Sequence, residues 1–270
     1  MPELPEVETT VRGLEPVLAG QVLSAVEVRR PDLRWPIPLD LGERLLGARV
    51  VRLGRRAKYG LIDTDRGDTM IFHLGMSGRW RIDPAEIGKH DHLVLTTGAG
   101  RRAALCDPRR FGSLDIVRTE SLDRYAPFAV MGPEPLGNRF TAAHLREALK
   151  GRKSSIKAAL LDQHIVAGLG NIYVCEALHM AHIAPGTKAG RIGTERLERL
   201  VRAVKDVLGS AIEAGGSSLR DYARPDGQLG YFAKQWRAYG REGESCACGG
   251  TIRRRVDSGR STFFCASCQR

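Results

Sequence analysis

The chain has 270 residues, of which 42% are hydrophobic and 27% charged. This length allows two domains with a core each, and the composition argues against intrinsic disorder. The formal net charge of +11 favours a polyanionic partner, either nucleic acid or, with less support, an anionic membrane. We expect a cytosolic protein, because no apolar run is long enough to span a membrane and the acidic N-terminus lacks the basic and apolar regions of a signal peptide.

The N-terminal half predicts one helix followed by many short strands. The helix begins at Glu3 and ends before Gly20, because a proline suits a first helical turn and glutamates favour the positive end of the helix dipole. Six runs rich in β-branched or apolar residues follow: VLSAVEV, ARVVRLGRRAKYGLID, DTMIFHLGMSGRWRI, HLVLTT, RRAALCD and SLDIVRT. Together they predict a β-sandwich domain with a leading helix over residues 1–118.

The C-terminal half predicts helices and a separate tail. Proline and glycine turn signals predict a linker over residues 119–140. Helical periodicity then appears in TAAHLREALKG, SSIKAALLDQ, NIYVCEALHMAHI and TERLERLVRAVKDVLGSAIEAG. With the polar loop after them, these helices predict a domain over residues 141–231, followed by a tail over 238–270. The predicted fold class is therefore α+β.

The tail contains four of the six cysteines: Cys246, Cys248, Cys265 and Cys268. Two cysteine pairs, separated by 16 residues, predict one structural zinc ion bound by four thiolates at the base of a hairpin that turns at Ser258 and Gly259. The first pair is C-x-C where zinc ribbons normally have C-x-x-C, so the alternative is a thiol cluster that has lost its metal. We expect the remaining two, Cys106 and Cys175, to be buried structural thiols.

Two further segments suit phosphate binding. Four arginines lie on the predicted hairpin, Arg253, Arg254, Arg255 and Arg260, although such arginines often only face solvent. The segment GLGN places Gly168, Gly170 and Asn171 at the start of a helix, where free backbone N–H groups can bind phosphate. Glycine turns precede many helices, so this segment alone is weak support.

Pro2 and Glu3 also suggest chemistry. If Met1 is removed, which a following proline favours, Pro2 carries a free secondary amine. The pKa of an α-amino group is about 7.7 to 8.0, so much of it is unprotonated near neutral pH. Such an amine can attack a sugar carbon and form an iminium ion, while Glu3 donates or accepts a proton. The alternative is that these residues only begin the helix.

Seven motifs occur in a fixed order along the chain. They are MPELPEVET at the start, RRAKY at 55–59, HLGMSG at 73–78, KHDH at 89–92, DPRRFG at 107–112, GLGNIY at 168–173 and GRSTFFCASCQR at the end. Together they closely resemble bacterial formamidopyrimidine-DNA glycosylases, which remove 8-oxoguanine and ring-opened purines from DNA. The resemblance covers residues 1–270. It implies a helix-two-turn-helix domain, a zinc hairpin and a monomer that binds double-stranded DNA between its domains.

The resemblance also implies residue roles. Pro2 would attack C1′ of the damaged nucleotide to form a Schiff base, and Glu3 would assist opening of the sugar ring. Lys58 would aid the elimination steps, and Arg260 would hold the phosphate at the lesion and assist the second elimination. The DNA contacts that it implies are His73, Met76, His90, Arg109, Phe111, Arg152, Lys157 and Asn171.

Base removal inside a duplex requires that the nucleotide flips out and that the vacated space is filled. By the resemblance, Met76, Arg109 and Phe111 fill it: Phe111 wedges the stack and Arg109 pairs with the orphaned cytosine. The loop over residues 217–231 would close over the flipped base. Read without the resemblance, Met76 and Phe111 are expected in the core, and the histidines around His90 could suggest a metal, although no carboxylate motif supports one.

Two alternative functions stay open at this point. One is an endonuclease VIII-like glycosylase that removes oxidised pyrimidines with the same N-terminal proline. The other is a non-catalytic protein that binds damaged DNA with the same fold. Only an enzyme that forms the imine can be trapped on DNA by borohydride.

Overall fold

The computed structural model describes residues 2–217, 232–257 and 259–270. The described chain divides into two compact units. The first contains the residues up to 129 together with 214–217, and the second contains 130–213 together with the described residues from 232 onward. Strands dominate the first unit and helices the second, so the α+β class is confirmed. The domain boundaries inferred from sequence stay predictions.

The first unit is a two-layer β-sandwich preceded by helix α1, Leu4–Leu18. Its strands are β1 Leu23–Val28, β2 Val50–Arg56, β3 Tyr59–Thr64, β4 Asp68–His73, β5 Arg79–Ile82, β6 Asp91–Thr97, β7 Arg102–Cys106 and β8 Ser113–Arg118. The antiparallel sheets have strand orders β1-β6-β7-β5 and β2-β3-β4-β8. Each predicted β-rich run forms one or two strands, which confirms the sandwich with its leading helix.

Two short helices of this unit were not predicted from the sequence. Helix α2 spans Leu41–Leu45, and helix α3 spans Ala126–Ala129 after a 3-10 helix at Thr119–Arg124. Each of the α-helices has at most five residues, so their apolar residues do not repeat often enough to give a helical period. The last two lie inside the segment that the turn signals predict as a linker.

The core of the first unit lies between α1 and the two sheets. Apolar side chains of the helix and of both sheets, among them Leu14, Ile62, Phe72 and Leu105, form one buried cluster. Trp80 joins the cluster with its ring edge against Phe72, the ring centroids 5.4 Å apart. The N-terminus of α1 is therefore fixed to the sandwich by the buried face of the same helix.

The second unit is built around one central helix. Its elements are α4 Ala142–Leu149, α5 Ile156–Leu161, α6 Asn171–Met180, α7 Thr194–Glu213, β9 Ile252–Asp257 and β10 Arg260–Cys265. Eight successive residues of α6, from 172 to 179, are buried, and the helix contacts α5, α7 and β10. All four predicted helical segments are helices. None of the helices in the described ranges is long and apolar enough to cross a membrane.

A buried carboxylate attaches the hairpin segment to the central helix. Glu176 of α6 is 2% exposed, and its oxygens accept backbone N–H bonds of 2.7 to 2.9 Å from residues 237, 238 and 239. A carboxylate with several backbone donors is well satisfied in spite of its burial. The chain that leads into β9 and β10 is therefore held by α6.

Candidate active site and metal centre

Pro2 lies at a buried and rigid start of α1. Glu3 caps the helix in a reciprocal capping box: its side chain accepts from the backbone N–H of Glu6, and the Glu6 carboxylate accepts the Glu3 N–H at 2.8 Å. Glu6 is 2% exposed and also accepts the N–H of Ser217 at 2.8 Å. The residue pair that starts the helix thus has a fixed backbone, so capping and chemistry are compatible roles for Glu3.

The RRAKY turn is fixed to the same helix. Arg55 donates from Nε to the Glu8 carboxylate of α1 at 3.0 Å and from Nη1 to the carbonyl of Ala57 at 3.0 Å. Burial acts to raise the pKa of Glu8, but hydrogen bonds from Arg55 and Arg12 hold that pKa below its usual value. Lys58 follows Ala57 in the turn and is 9% exposed. The ion pair therefore sets the position of the lysine turn on α1.

His73, at the end of β4, is a neutral donor. Burial, and then the positive charges of Lys58 and Arg34, lower the pKa of His73 to about 4. Its Nδ1 accepts the backbone N–H of Gly75 at 3.0 Å, so the ring proton of the neutral imidazole is on Nε2. The ring packs against Tyr59, with 4.8 Å between the centroids. His73 can thus donate one hydrogen bond to an anionic oxygen at neutral pH.

The HLGMSG and DPRRFG motifs form two interlocked loops. Gly75 has a φ of +60°, and a Cβ there would clash with the backbone carbonyl of Phe111, so the contact requires glycine. Asp107, 1% exposed, accepts from Ser77 Oγ at 2.7 Å and from Gly112 N–H at 2.8 Å. The buried carboxylate therefore links the two loops.

These loops carry three exposed side chains. Met76 is 38% exposed and Phe111 is 44% exposed, so the expectation that they belong to the core is wrong. The guanidinium of Arg109 lies over the Phe111 ring, 4.8 Å from its centroid, and the Arg109 N–H donates to Ser77 Oγ at 3.3 Å. Large apolar side chains on a rigid, basic surface are suited to contact stacked bases.

The residues that follow His90 in the KHDH motif, Asp91 and His92, have other partners. Asp91 is buried and pairs with Arg81 at 2.7 Å, and His92 Nε2 lies 2.9 Å from the carbonyl of Asp107. Within the described ranges, the cysteine cluster of the tail is the group of His, Cys, Asp or Glu side chains with metal-binding spacing. His90 is half-buried beside the DPRRFG loop. Its backbone carbonyl accepts the N–H of Asp107 at 2.9 Å.

A basic cluster of the second unit converges on the start of β10. Lys157, 1% exposed, donates to the carbonyl of Ser261 at 3.1 Å and to Thr262 Oγ1 at 2.7 Å. Asn171 donates to the same Ser261 carbonyl at 2.8 Å. Burial lowers the pKa of Lys157. Two of the predicted DNA contacts are therefore bonded to the residue that follows Arg260.

A cavity of about 290 Å³ lies beside this cluster. Lys157, Arg260, Asp162, Asp257 and Ser155 line it, together with two apolar residues of α5. Arg152 pairs with Asp162 at 3.3 Å. Four residues that the resemblance assigns to DNA contact or catalysis are therefore connected here. Lys157 and Arg260 line the cavity, Arg152 pairs with Asp162 of its lining, and Asn171 shares the Ser261 carbonyl with Lys157.

The four cysteines of the tail form one cluster. Their sulfurs lie within 4.8 Å of one another, with Cys248 and Cys265 3.5 Å apart and Cys246 and Cys268 3.9 Å apart. Burial acts to raise the pKa of Cys265, but the N–H groups of Cys268 and Ser267 lower it to about 6. Four soft sulfur donors at these distances, one of them readily ionised, fit a single tetrahedral metal ion.

A tight glycine turn makes the C-x-C spacing compatible with this cluster. Cys246 N–H donates to the carbonyl of Gly250 at 2.8 Å, and Gly249 N–H donates back to the carbonyl of Cys246 at 2.9 Å. Gly249 has a φ of +85°, and a Cβ on Gly250 would lie 2.9 Å from Cys265 Sγ. The pair of glycines thus lets the short knuckle approach the second pair. Of the predicted turn residues, Ser258 lies outside the described residues.

Sequence reasoning missed the residues that hold these groups. Glu6, Ser77, Asp107 and Glu176 are buried polar residues, and the first three lie inside the quoted motifs. A polar residue inside a motif is the signal that could have identified them. The expectation that Cys106 and Cys175 are buried is confirmed. The predicted base-capping loop, apart from Ser217, lies outside the described residues.

Comparison with known proteins gives the same family over the whole chain. The family model described as formamidopyrimidine-DNA glycosylase N-terminal domain matches residues 1–114, and that of the formamidopyrimidine-DNA glycosylase H2TH domain matches 131–223. A formamidopyrimidine-DNA glycosylase of Rhizorhabdus wittichii is 70% identical over 270 residues, which are all of both chains.

Solved structures agree with this. The Fpg protein of Thermus thermophilus matches with a TM-score of 0.89 and 40% identity, over 99% of this chain and 98% of that chain. A Lactococcus lactis Fpg mutant, solved with a Fapy-dG containing DNA, matches with a TM-score of 0.92 and 34% identity over 100% of both chains. The chain therefore belongs to the formamidopyrimidine-DNA glycosylase family, the DNA glycosylases of DNA repair.

Proposed function

We propose that this DNA glycosylase removes oxidised purines, 8-oxoguanine and formamidopyrimidines, and then cleaves the strand as an AP lyase. The observation that carries the proposal is the N-terminal site: Pro2 precedes a capping box that fixes Glu3, on a helix to which the Lys58 turn is tied. The family assignment and the Fapy-dG containing DNA bound by the Lactococcus lactis relative support the substrate class.

The amine of Pro2 would begin the reaction once Met1 is removed. Its lone pair attacks C1′ as the C1′–N bond breaks, and the base leaves with the bonding electrons and takes up the proton that the amine loses. Glu3 protonates the ring oxygen, the C1′–O4′ bond breaks, and the opened sugar carries an iminium ion at C1′. Loss of a C2′ proton expels the 3′ phosphate, and a second elimination expels the 5′ phosphate. Lys58 would move protons in these steps, and hydrolysis of the imine would free Pro2.

The two interlocked loops would fill the duplex after flipping. Phe111 would enter the base stack beside Met76, and unstacking a step costs a few kcal/mol that contacts with the bent DNA offset. Arg109 would hydrogen-bond the orphaned cytosine. His73 would donate from Nε2 to a phosphate oxygen, and His90 would contact the backbone next to it. A fixed pair of loops suits this role because little conformational freedom is lost when the loops bind DNA.

The basic cluster of the second unit would hold the phosphate at the lesion. Arg260 and Lys157 line one cavity, Arg152 pairs with Asp162 of its lining, and Asn171 bonds the Ser261 carbonyl that Lys157 also bonds. Arginine bonds phosphate in a bidentate way, so Arg260 would both orient the strand and neutralise the leaving phosphate. A chain that binds chromosomal DNA in this way would act as a monomer in the bacterial cytoplasm.

The cysteine cluster would hold one structural zinc ion. Four thiolates, Cys246, Cys248, Cys265 and Cys268, satisfy tetrahedral zinc without an open position. The ion would cross-link the knuckle to the end of β10, the strand that begins at Arg260. Metal binding would therefore order the hairpin and not take part in the chemistry.

Borohydride trapping tests the proposal. Protein whose Met1 removal is verified by mass spectrometry is mixed with an 8-oxoguanine:cytosine duplex and reduced, and the cross-link should map to Pro2. The same protein with an uncleaved N-terminal tag should neither cross-link nor cut the strand, and a C-terminally tagged protein is the control. Trapping by the N-terminally blocked protein would exclude Pro2 as the nucleophile.

One further substrate and the trapping result separate the alternatives. A duplex with an oxidised pyrimidine should be cut more slowly than the 8-oxoguanine duplex, whereas an endonuclease VIII-like enzyme would prefer it. A non-catalytic protein would bind the damaged duplex but form no cross-link.

A further inference from the structure

The shortened knuckle is contacted by a histidine from the central helix. His179, in the last turn of α6, has its Nε2 3.3 Å from Cys246 Sγ, although 67 residues separate the two in sequence. Both are buried, with exposures of 7% and 6%. Cys246 is the first cysteine of the short C-x-C pair, and none of the seven motifs includes His179.

The donor in this contact is the ring N–H. A metal-bound cysteine is a thiolate, which carries no proton and can only accept, so His179 Nε2 must be protonated. Its other nitrogen, Nδ1, is buried without a hydrogen-bond partner among the described residues. Buried acceptors lack a hydrogen-bond partner more often than buried N–H donors do. The surroundings of the ring therefore favour a proton on Nε2 and none on Nδ1.

His179 lies outside the set of metal ligands. The four sulfurs are the mutually close group within the described ranges, and His179 does not belong to it. Four thiolates already complete a structural zinc site. The contact that the structure shows is therefore with one of the four cysteines, and His179 would stand outside the set that holds the ion.

We propose that His179 is a positioning residue of the metal centre, whose Nε2–H bonds the Cys246 thiolate and keeps it directed at the ion. The proposal rests on the zinc site of the proposed function. A knuckle with a single intervening residue has fewer backbone N–H groups to stabilise its first thiolate, and the helix supplies the missing donor. Hydrogen bonds to metal ligands of this kind are worth about 10- to 100-fold in metal affinity.

Zinc release measures this effect. Full-length wild type, His179→Phe and His179→Gln are compared for zinc content and for the rate of zinc transfer to excess 4-(2-pyridylazo)resorcinol. Phenylalanine keeps the ring volume without a donor and should release zinc about 10- to 100-fold faster, and glutamine, whose amide N–H can donate, should lie between. His182→Asn is the matched control, because His182 is exposed, lines a cavity together with His179 and Cys246, and has a φ of +55° that suits asparagine.

Cadmium-113 NMR of the wild type gives a second measurement that needs no variant to fold. The cadmium chemical shift should be that of four thiolate ligands, and His179 should carry its proton on Nε2. Direct scalar coupling between cadmium and Nε2 would show that His179 is a ligand and would overturn the proposal. Release from His179→Phe at the wild-type rate would also overturn it while the zinc site stands. Active wild type without zinc would overturn the metal centre itself.

Discussion

The buried carboxylate of Asp107 should control both the stability of the interlocked loops and their use on DNA. Both of its partners are donors, Ser77 Oγ–H and Gly112 N–H. In Asp107→Asn, one amide oxygen can accept from one of them, while the amide nitrogen is itself a donor. One buried donor then lacks an acceptor, which costs about 1 to 3 kcal/mol.

Urea unfolding should therefore show that the free energy of unfolding of Asp107→Asn is about 1 to 3 kcal/mol below that of the wild type. Asp65→Asn is the control, because Asp65 accepts a backbone N–H in an exposed turn and should change stability by less than about 0.5 kcal/mol. The backbone N–H of Arg109 donates to Ser77 Oγ, so displacement of Ser77 should also displace Arg109. Single-turnover excision opposite cytosine and opposite adenine should therefore show a reduced preference for cytosine. If Asp107→Asn matches Asp65→Asn in stability and keeps the wild-type ratio, Asp107 does not hold the loops.

Three further outcomes are expected. Arg109→Ala should remove about 1 to 3 kcal/mol of discrimination between the two opposite bases, and an unchanged ratio of excision rates would exclude it as the reader. His73 has a pKa of about 4 when folded and about 6.5 when unfolded, so its contribution to stability is complete above pH 6.5 and is lost as the pH falls towards 4. His73→Asn keeps an acceptor for the Gly75 N–H but cannot titrate in this range. The free energy of unfolding, measured in urea, should therefore change less with pH between 4 and 6.5 in the variant than in the wild type, by about 3 kcal/mol at most. Parallel curves of unfolding free energy against pH for the two proteins would contradict this. Cys265→Ser should lose zinc and strand cleavage while the sandwich stays folded, and Cys246→Ser should be the mildest of the cysteine variants in zinc content; equal loss from both would contradict the ranking.

Elements were predictable from the sequence where the signal is local. The strands alternate with Gly, Asp and Pro turns. Of the four predicted helical segments, those of α4, α6 and α7 form helices of eight residues or more, which is long enough for apolar residues to recur over two turns. Helix α2 lacks that length, so no period marks it. Apolar character alone would place Met76 and Phe111 in the core, and only the resemblance indicated a role in contact with DNA. Both are exposed on loops that meet where Gly75 packs against the backbone of Phe111, 36 residues away in sequence.

Site residues were predictable only by type and order. The partners of Asp107 include Ser77, 30 residues away, and those of Lys157 include Thr262, 105 residues away. Nothing in either local segment indicates which distant residue will be the partner. The contact of His179 with the cysteine cluster is of the same kind. Pairwise geometry therefore had to come from the structure.

The acidic start of a basic protein follows from a use of carboxylates that recurs through the chain. Glu6, Asp107 and Glu176 are each at most 2% exposed, and each accepts at least one backbone N–H at the edge of a functional segment. Backbone N–H groups compensate these buried charges locally, while the exposed arginines carry the positive charge that a polyanion meets at the surface. Glu6 illustrates the benefit, because one side chain fixes both the backbone after Pro2 and the residue at which the loop over 217–231 begins. A lysine or arginine could not replace it, since neither has an acceptor for a backbone N–H.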